Sequence, residues 1–137
     1  MDDENLRRLV LQIETGRRQM GELNKQAQMV ESAIVEINAT VEALKALKDV
    51  KPGTEILVQV GSGAFIKAEV KDASSVLVGI GAEMSLAKKI PDAVEVLEGR
   101  KNQLSESLSA VQKTLGELGM KLAEMNAAAE QALGGQQ

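Results

Sequence analysis

The sequence predicts an α+β fold: a long antiparallel two-helix coiled coil whose helices are joined by two tandem β-hairpins, with the hairpins oligomerising into a β platform shared between chains. Three observations predict it. Two apolar heptad rows of equal length flank the middle of the chain. Between them the apolar period changes from 3.5 to 2. Aromatic residues make up 1% of 137 residues, Phe65 being the one example, against 44% apolar content. Leu, Val, Ile, Ala and Met without large rings suit narrow helical seams better than a thick globular core.

The first heptad row is Leu6, Leu9, Ile13, Gly16, Met20, Leu23, Ala27, Val30, Ile34, Ile37, Val41 and Leu44. Its steps of three and four run without a skip, which holds one stripe against a partner helix. Asp2, Asp3 and Glu4 suit the positive end of the helix dipole, and no proline precedes Pro52. A helix over 3–49 would be roughly 70 Å long at 1.5 Å per residue. Lys51-Pro52-Gly53 stops it, because proline lacks the N–H and glycine permits the turn.

The strand region spans 54–90. Ile56, Val58 and Val60 alternate with Leu57 and Gln59, Gly61-Ser62-Gly63 turns, and Ile66, Ala68 and Val70 return. After Asp72-Ala73-Ser74-Ser75, the residues Val76, Val78 and Ile80 alternate with Leu77 and Gly79. Gly81-Ala82-Glu83 turns, and Met84, Leu86, Lys88 and Ile90 complete a second pair. Pro91 and Asp92 then open a helix over 91–133, followed by a frayed tail of Gly134 to Gln137. Its heptad row is Val94, Leu97, Lys101, Leu104, Leu108, Val111, Leu115, Leu118, Leu122, Met125, Ala129 and Ala132. The strands return the chain, so the helices run antiparallel. Equal counting sets Leu44 near Val94 and Leu6 near Ala132, which brings both chain ends to one distal tip.

Composition excludes several chemistries. The chain has no Cys and no His, which removes disulfides, thiolate metal sites and the commonest general base. The net charge of −4 gives no basic nucleic-acid face. MDDENLRR lacks the apolar core of a secretory signal, and no run of 18 apolar residues offers a membrane span. The expectation is a soluble cytoplasmic protein that is not an enzyme and needs no cofactor, metal, membrane or nucleic acid. Gly61-Ser62-Gly63 and Gly79-Ile80-Gly81 are turns rather than phosphate loops, since Ile66 and Met84 stand where a third glycine is needed and strands follow. Asn38-Ala39-Thr40 matches a glycosylation sequon by chance, inside a heptad helix. Scattered carboxylates with Lys and Arg neighbours read as a solvated face.

Three features keep two readings each. Lys101 in the seam either fixes register or packs its stem and sends its charge to water. Gly16, Gly21, Gly116 and Gly119, in the distal half with Gly99 elsewhere in the second helix, are either tolerated small positions or a loosening of that half. Apolar residues off the seam near the tip, namely Val10, Leu11, Met120 and Leu133 with Ala127, Ala128 and Ala132, either pack the end or bind apolar polypeptide.

Two hairpins carrying apolar faces but no covering layer leave open edges and little core. Joining strands from several chains resolves both problems, so Ile56, Val58, Val60, Ile66, Ala68, Val70, Val76, Val78, Ile80, Met84 and Leu86 are the expected oligomer interface.

The order helix, two hairpins, helix resembles the prefoldin family over essentially the whole chain, and specifically its α-type subunit in an archaeal-like form. The resemblance is carried by Val60-Gly61-Ser62-Gly63-Ala64-Phe65-Ile66-Lys67-Ala68-Glu69-Val70, by Val76-Leu77-Val78-Gly79-Ile80-Gly81-Ala82, and by Lys88-Lys89 and Pro91-Asp92-Ala93. It implies a hexamer of two α and four β-type subunits whose hairpins build a β-barrel platform with coiled coils projecting from it. It also implies ATP-independent capture of non-native polypeptide at the distal tips and delivery to a group II chaperonin. Under it, the client contacts fall on Val10, Leu11, Met120, Ala127, Ala128 and Leu133. The alternative is a structural coiled-coil scaffold or filament former that binds no client.

Overall fold

In a computed structural model describing residues 2–134, the elements follow in the order α1 (Asp3–Ala46), a 3-10 turn (Leu47–Asp49), β1 (Glu55–Gly61), β2 (Ala64–Glu69), β3 (Ser75–Gly81), β4 (Met84–Lys89) and α2 (Ile90–Gly134). Of the expected frayed tail, Gly134 is the last residue of α2 and 135–137 lie outside the described residues. The chain divides into two compact units. Among the described residues, one joins 2–34 to 103–134; the other runs from Val35 to Asn102.

Asp2 begins α1 as an N-cap. Its side-chain oxygen accepts from the Asn5 N–H at 2.7 Å, and its carbonyl accepts from the Leu6 N–H at 3.0 Å. Every position of both heptad rows is buried or half-buried, while the residues between them are mostly exposed. In the terminal unit the deepest positions are Ile13, Ala27, Val111 and Leu122. A Cβ built on Gly16 would stand 2.5 Å from Leu122 Cδ2, so Gly16 and Leu122 face each other across the seam. Equal counting from the hairpins predicts that pairing.

The central unit has its own core, formed by Val41 and Leu44 of α1, Val78 of β3, and Ile90, Ala93 and Leu97 of α2. Ile37, Val76, Val94 and Val96 pack around it. α2 starts at Ile90, one residue before the expected boundary, and Ile90 enters this core instead of closing a strand. Pro91 is tolerated next to it because the first-turn N–H groups have no intrahelical acceptor.

Lys51-Pro52-Gly53-Thr54 closes through the Thr54 N–H to the Lys51 carbonyl at 3.2 Å, with Gly53 at φ 87°. That positive φ after Pro52 is the type II pattern, which needs glycine there. β1 and β2 pair antiparallel from Glu55↔Glu69 to Gly61↔Ala64, and β3 and β4 from Ser75↔Lys89 to Gly81↔Met84, as two separate two-stranded sheets. β2 ends at Glu69. Val70 nonetheless continues the pairing, donating to the Thr54 carbonyl and accepting from the Gly53 N–H.

Both ladders slip at the same rung, leaving Val60 and Ile80 as extra residues before the turn. The sequence carries no direct sign of these bulges. The turns differ. Gly63 has φ 80°, whereas in the second hairpin Ala82 and Glu83 both have positive φ, at 50° and 61°. Two left-handed central residues define a type I′ turn, whose twist suits a hairpin although Asn-Gly would serve better there.

Candidate functional site

The first hairpin carries large apolar side chains on both faces. Ile56, Val58, Ile66 and Ala68 pair across one face. Leu57 and Phe65 lie on the other and are 64% and 57% exposed. Val60 and Ile66 are exposed as well, and Ala68 and Val70 are half-buried. A two-stranded sheet with both faces and both edges open is marginal in water.

The second hairpin differs on one face. Val78 is 7% exposed and belongs to the chain's own core, with Val76 half-buried beside it. The expectation that no helix covers a hairpin does not hold here, and Val78 is occupied within the chain. Alternation identifies the apolar face of a strand but not what lies over it. Arg100 of α2, which sequence reasoning did not single out, donates a hydrogen bond to the Gly79 carbonyl beside the Ile80 bulge. Ile80, Met84 and Leu86 remain exposed, and so does Leu77.

In the terminal unit, Val10, Leu11, Met120 and Leu133 are exposed, Ala127 is exposed, and Ala128 and Ala132 are half-buried. The Gly16–Leu122 register sets Val10 level with Ala128 and Leu11 level with Ala127. Leu133 lies further toward the chain ends. Met120 stands about 10 Å inward of Ala127 at 1.5 Å per helical residue, and so is set apart. Leu6, Arg7, Val10 and Leu11 line a shallow recess. Leu6 belongs to the seam, and its half-exposed flank is the part a heptad count overlooks. Met29, 74% exposed, is a further apolar residue outside the expected tip group.

Among the described residues there is no buried charged or polar side chain and no group of three carboxylates able to hold a metal ion. No helix there is long and apolar enough to cross a membrane. Lys101 is half-buried, and its ammonium reaches Glu98 at 2.8 Å; its stem packs while its charge leaves the seam. The hydrogen bond from Lys101 holds the Glu98 carboxyl below its ordinary value against slight desolvation, and the charges of Lys101 and Lys45 add to it. Asp72 is held low by its hydrogen bonds with Ser74, whose N–H donates at 2.9 Å in the connector between the hairpins.

Two seamed helices, hairpins that still expose apolar faces, and no buried polar or charged group among the described residues define a coiled-coil subunit built for association. Residues 17–135 match the Prefoldin family, described as prefoldin subunit. The chain belongs to the prefoldin family, a non-enzymatic family of chaperone-type subunits that assemble with one another. It is similar to the filamentous PFD of Methanocaldococcus jannaschii, at 25% identity over 92% of this chain and 98% of that one, with a TM-score of 0.60. It also shares the fold of the prefoldin beta subunit from Thermococcus strain KS-1, at 19% identity over 94% and 92% of the two chains, with a TM-score of 0.62. No curated protein matches the chain.

Proposed function

We propose that this chain is an α-type prefoldin subunit that captures non-native polypeptide without ATP, as part of a cytoplasmic α2β4 hexamer that passes clients to a group II chaperonin. The carrying observation is the level at which Val10 and Leu11 of α1 meet Ala127 and Ala128 of α2. It is an apolar surface, exposed at Val10, Leu11 and Ala127 and half-buried at Ala128, at the chain-terminal end of the terminal unit, with Leu133 further out. Several such surfaces in one assembly would hold a client by avidity while each contact releases readily. The second hairpin supports the α-type assignment. The exposed faces of both hairpins support the β-barrel platform shared with β-type subunits. A second reading, a scaffold or filament without client binding, has one observation in its favour: the 25% identity to a filamentous PFD.

The test is suppression of aggregation of a chemically denatured client, with a β-type partner present and nucleotide absent. Suppression near stoichiometric ratio is expected. Removing residues 1–12 and 124–137 should abolish it while native mass stays hexameric. Full aggregation with the intact complex would favour the scaffold reading, and capture by the shortened chain would move the client surface elsewhere.

A further inference from the structure

One flank of the terminal unit carries a groove between α1 and α2. Its outer recess, about 430 Å³, is edged by Arg8 and Lys121 over Leu11 and Met125. Its inner recess, about 730 Å³, is edged by Arg18, Glu22 and Glu117 over Leu23. The two share Thr15, Gln19, Leu118 and Lys121, so they form one continuous channel. From Arg8 to Leu23 it runs about 22 Å at 1.5 Å per helical residue. About seven residues of extended chain cover that length at roughly 3.3 Å each.

The charges along the channel are uneven. The outer recess is lined by two cations and no carboxylate; carboxylates line the inner end alone. Arg8, Arg18 and Lys121 are exposed, and none has an ion-pair partner within 4 Å among the described residues. Glu22 does have a cation near it, Lys25 at 4.0 Å. Four of the five arginines of a chain with net charge −4 fall between Arg7 and Arg18. Arginine is the side chain best shaped to grip a carboxylate through two parallel hydrogen bonds. The floor is apolar and half-buried at Leu118, Met125 and Leu23, and Gln12 and Gln19 offer amides to a peptide backbone.

We propose that this groove takes an extended acidic segment of polypeptide, its apolar side chains on the Leu118–Met125 floor and its carboxylates at Arg8 and Lys121. A nucleic acid strand fits less well, since no aromatic side chain is present there for a base to stack on. The proposal rests on the reading of the terminal unit as a polypeptide-binding surface, and adds to it a preference for charge.

Fluorescence anisotropy with the purified full-length chain tests it, using a labelled peptide of Leu-Asp repeats and a second of Leu-Lys repeats. The acidic peptide should bind about tenfold tighter or more, the worth of one charge-assisted hydrogen bond. Arg8→Glu combined with Lys121→Glu should reverse that preference with unchanged helical circular dichroism. Arg17→Glu, which lies outside both recesses, should leave it as it is. Equal binding of the two peptides, a preference that survives the double reversal, or one lost with Arg17→Glu would each overturn the proposal. Displacement of the acidic peptide by a single-stranded oligonucleotide at equal concentration would overturn it too, marking a surface for polyanions in general. The aggregation assay fails separately. A suppressed client with no charge preference sinks the groove alone, whereas a bound acidic peptide beside a fully aggregated client sinks capture and leaves the groove standing.

Discussion

Gly16 and Gly21 are both helical glycines of α1, yet their surroundings call for opposite treatment. Gly16 is a seam residue whose missing Cβ makes room for Leu122, while nothing lies within 4 Å of a Cβ at Gly21. Gly16→Leu should therefore overpack the seam and destabilise by about 1–3 kcal/mol. Gly21→Ala should stabilise by up to ~1 kcal/mol through helix propensity. Chemical denaturation of the two variants checks the difference in sign. Sequence spacing puts Gly16 in the seam but does not distinguish a tolerated glycine from a required one, because that depends on the rotamer of a residue more than a hundred positions away. Glu98 makes a pH prediction at the same scale. Its folded-state carboxyl titrates below the ordinary 4.5, so the native state binds fewer protons there than the unfolded chain. The contribution is present above about that pH and is lost as pH falls through the lowered value. Glu98→Gln should lower the melting temperature slightly at pH 7 and leave it unchanged at pH 3, as thermal melts at the two pH values would show.

At the scale of elements, the heptad rows and the strand alternation were both legible. All twenty-four seam positions are buried or half-buried, and the cross-strand partners Ile56↔Ala68, Val58↔Ile66 and Val78↔Leu86 lie on the predicted faces. The bulges at Val60 and Ile80 were not legible, because an extra residue in a ladder is visible only once both strands are aligned. The hairpins also differ in what covers them. Val78→Ala removes buried methyl groups from the core of Val41, Leu44 and Leu97 and should cost roughly 2 kcal/mol. Val58→Ala, on an open face, should leave the stability of the isolated chain nearly unchanged. Urea melts of both variants, at concentrations where the chain is monomeric, separate the two cases; equal losses would mean the first hairpin is also covered.

At the scale of the whole molecule, the two units divide the tasks. The central unit builds one core from both helices and β3, and leaves the first hairpin and the β4 edge uncovered. The terminal unit brings the N-terminal and C-terminal segments together, so Val10 and Leu11 come level with Ala127 and Ala128 although more than a hundred residues separate them in sequence. Met120 shares their exposure but not their level, so exposure alone would have grouped residues that the register separates.

Period determined most of what the sequence alone could. A 3.5-residue repeat of matched length on both sides of a period-2 middle fixes helix, two hairpins and helix and the antiparallel register, because each follows from spacing along the chain. Tertiary structure decided which apolar faces are covered. Val78 lies under the chain's own helices and Ile56, Val58 and Ile66 do not, although all four alternate alike in sequence. The reason is physical: alternation records that a face avoids water, whereas the identity of the covering layer depends on where distant helices pass. The same holds for Gly16, for the Arg100 contact at Gly79 and for the level of the terminal apolar residues, each set by a neighbour that is remote along the chain.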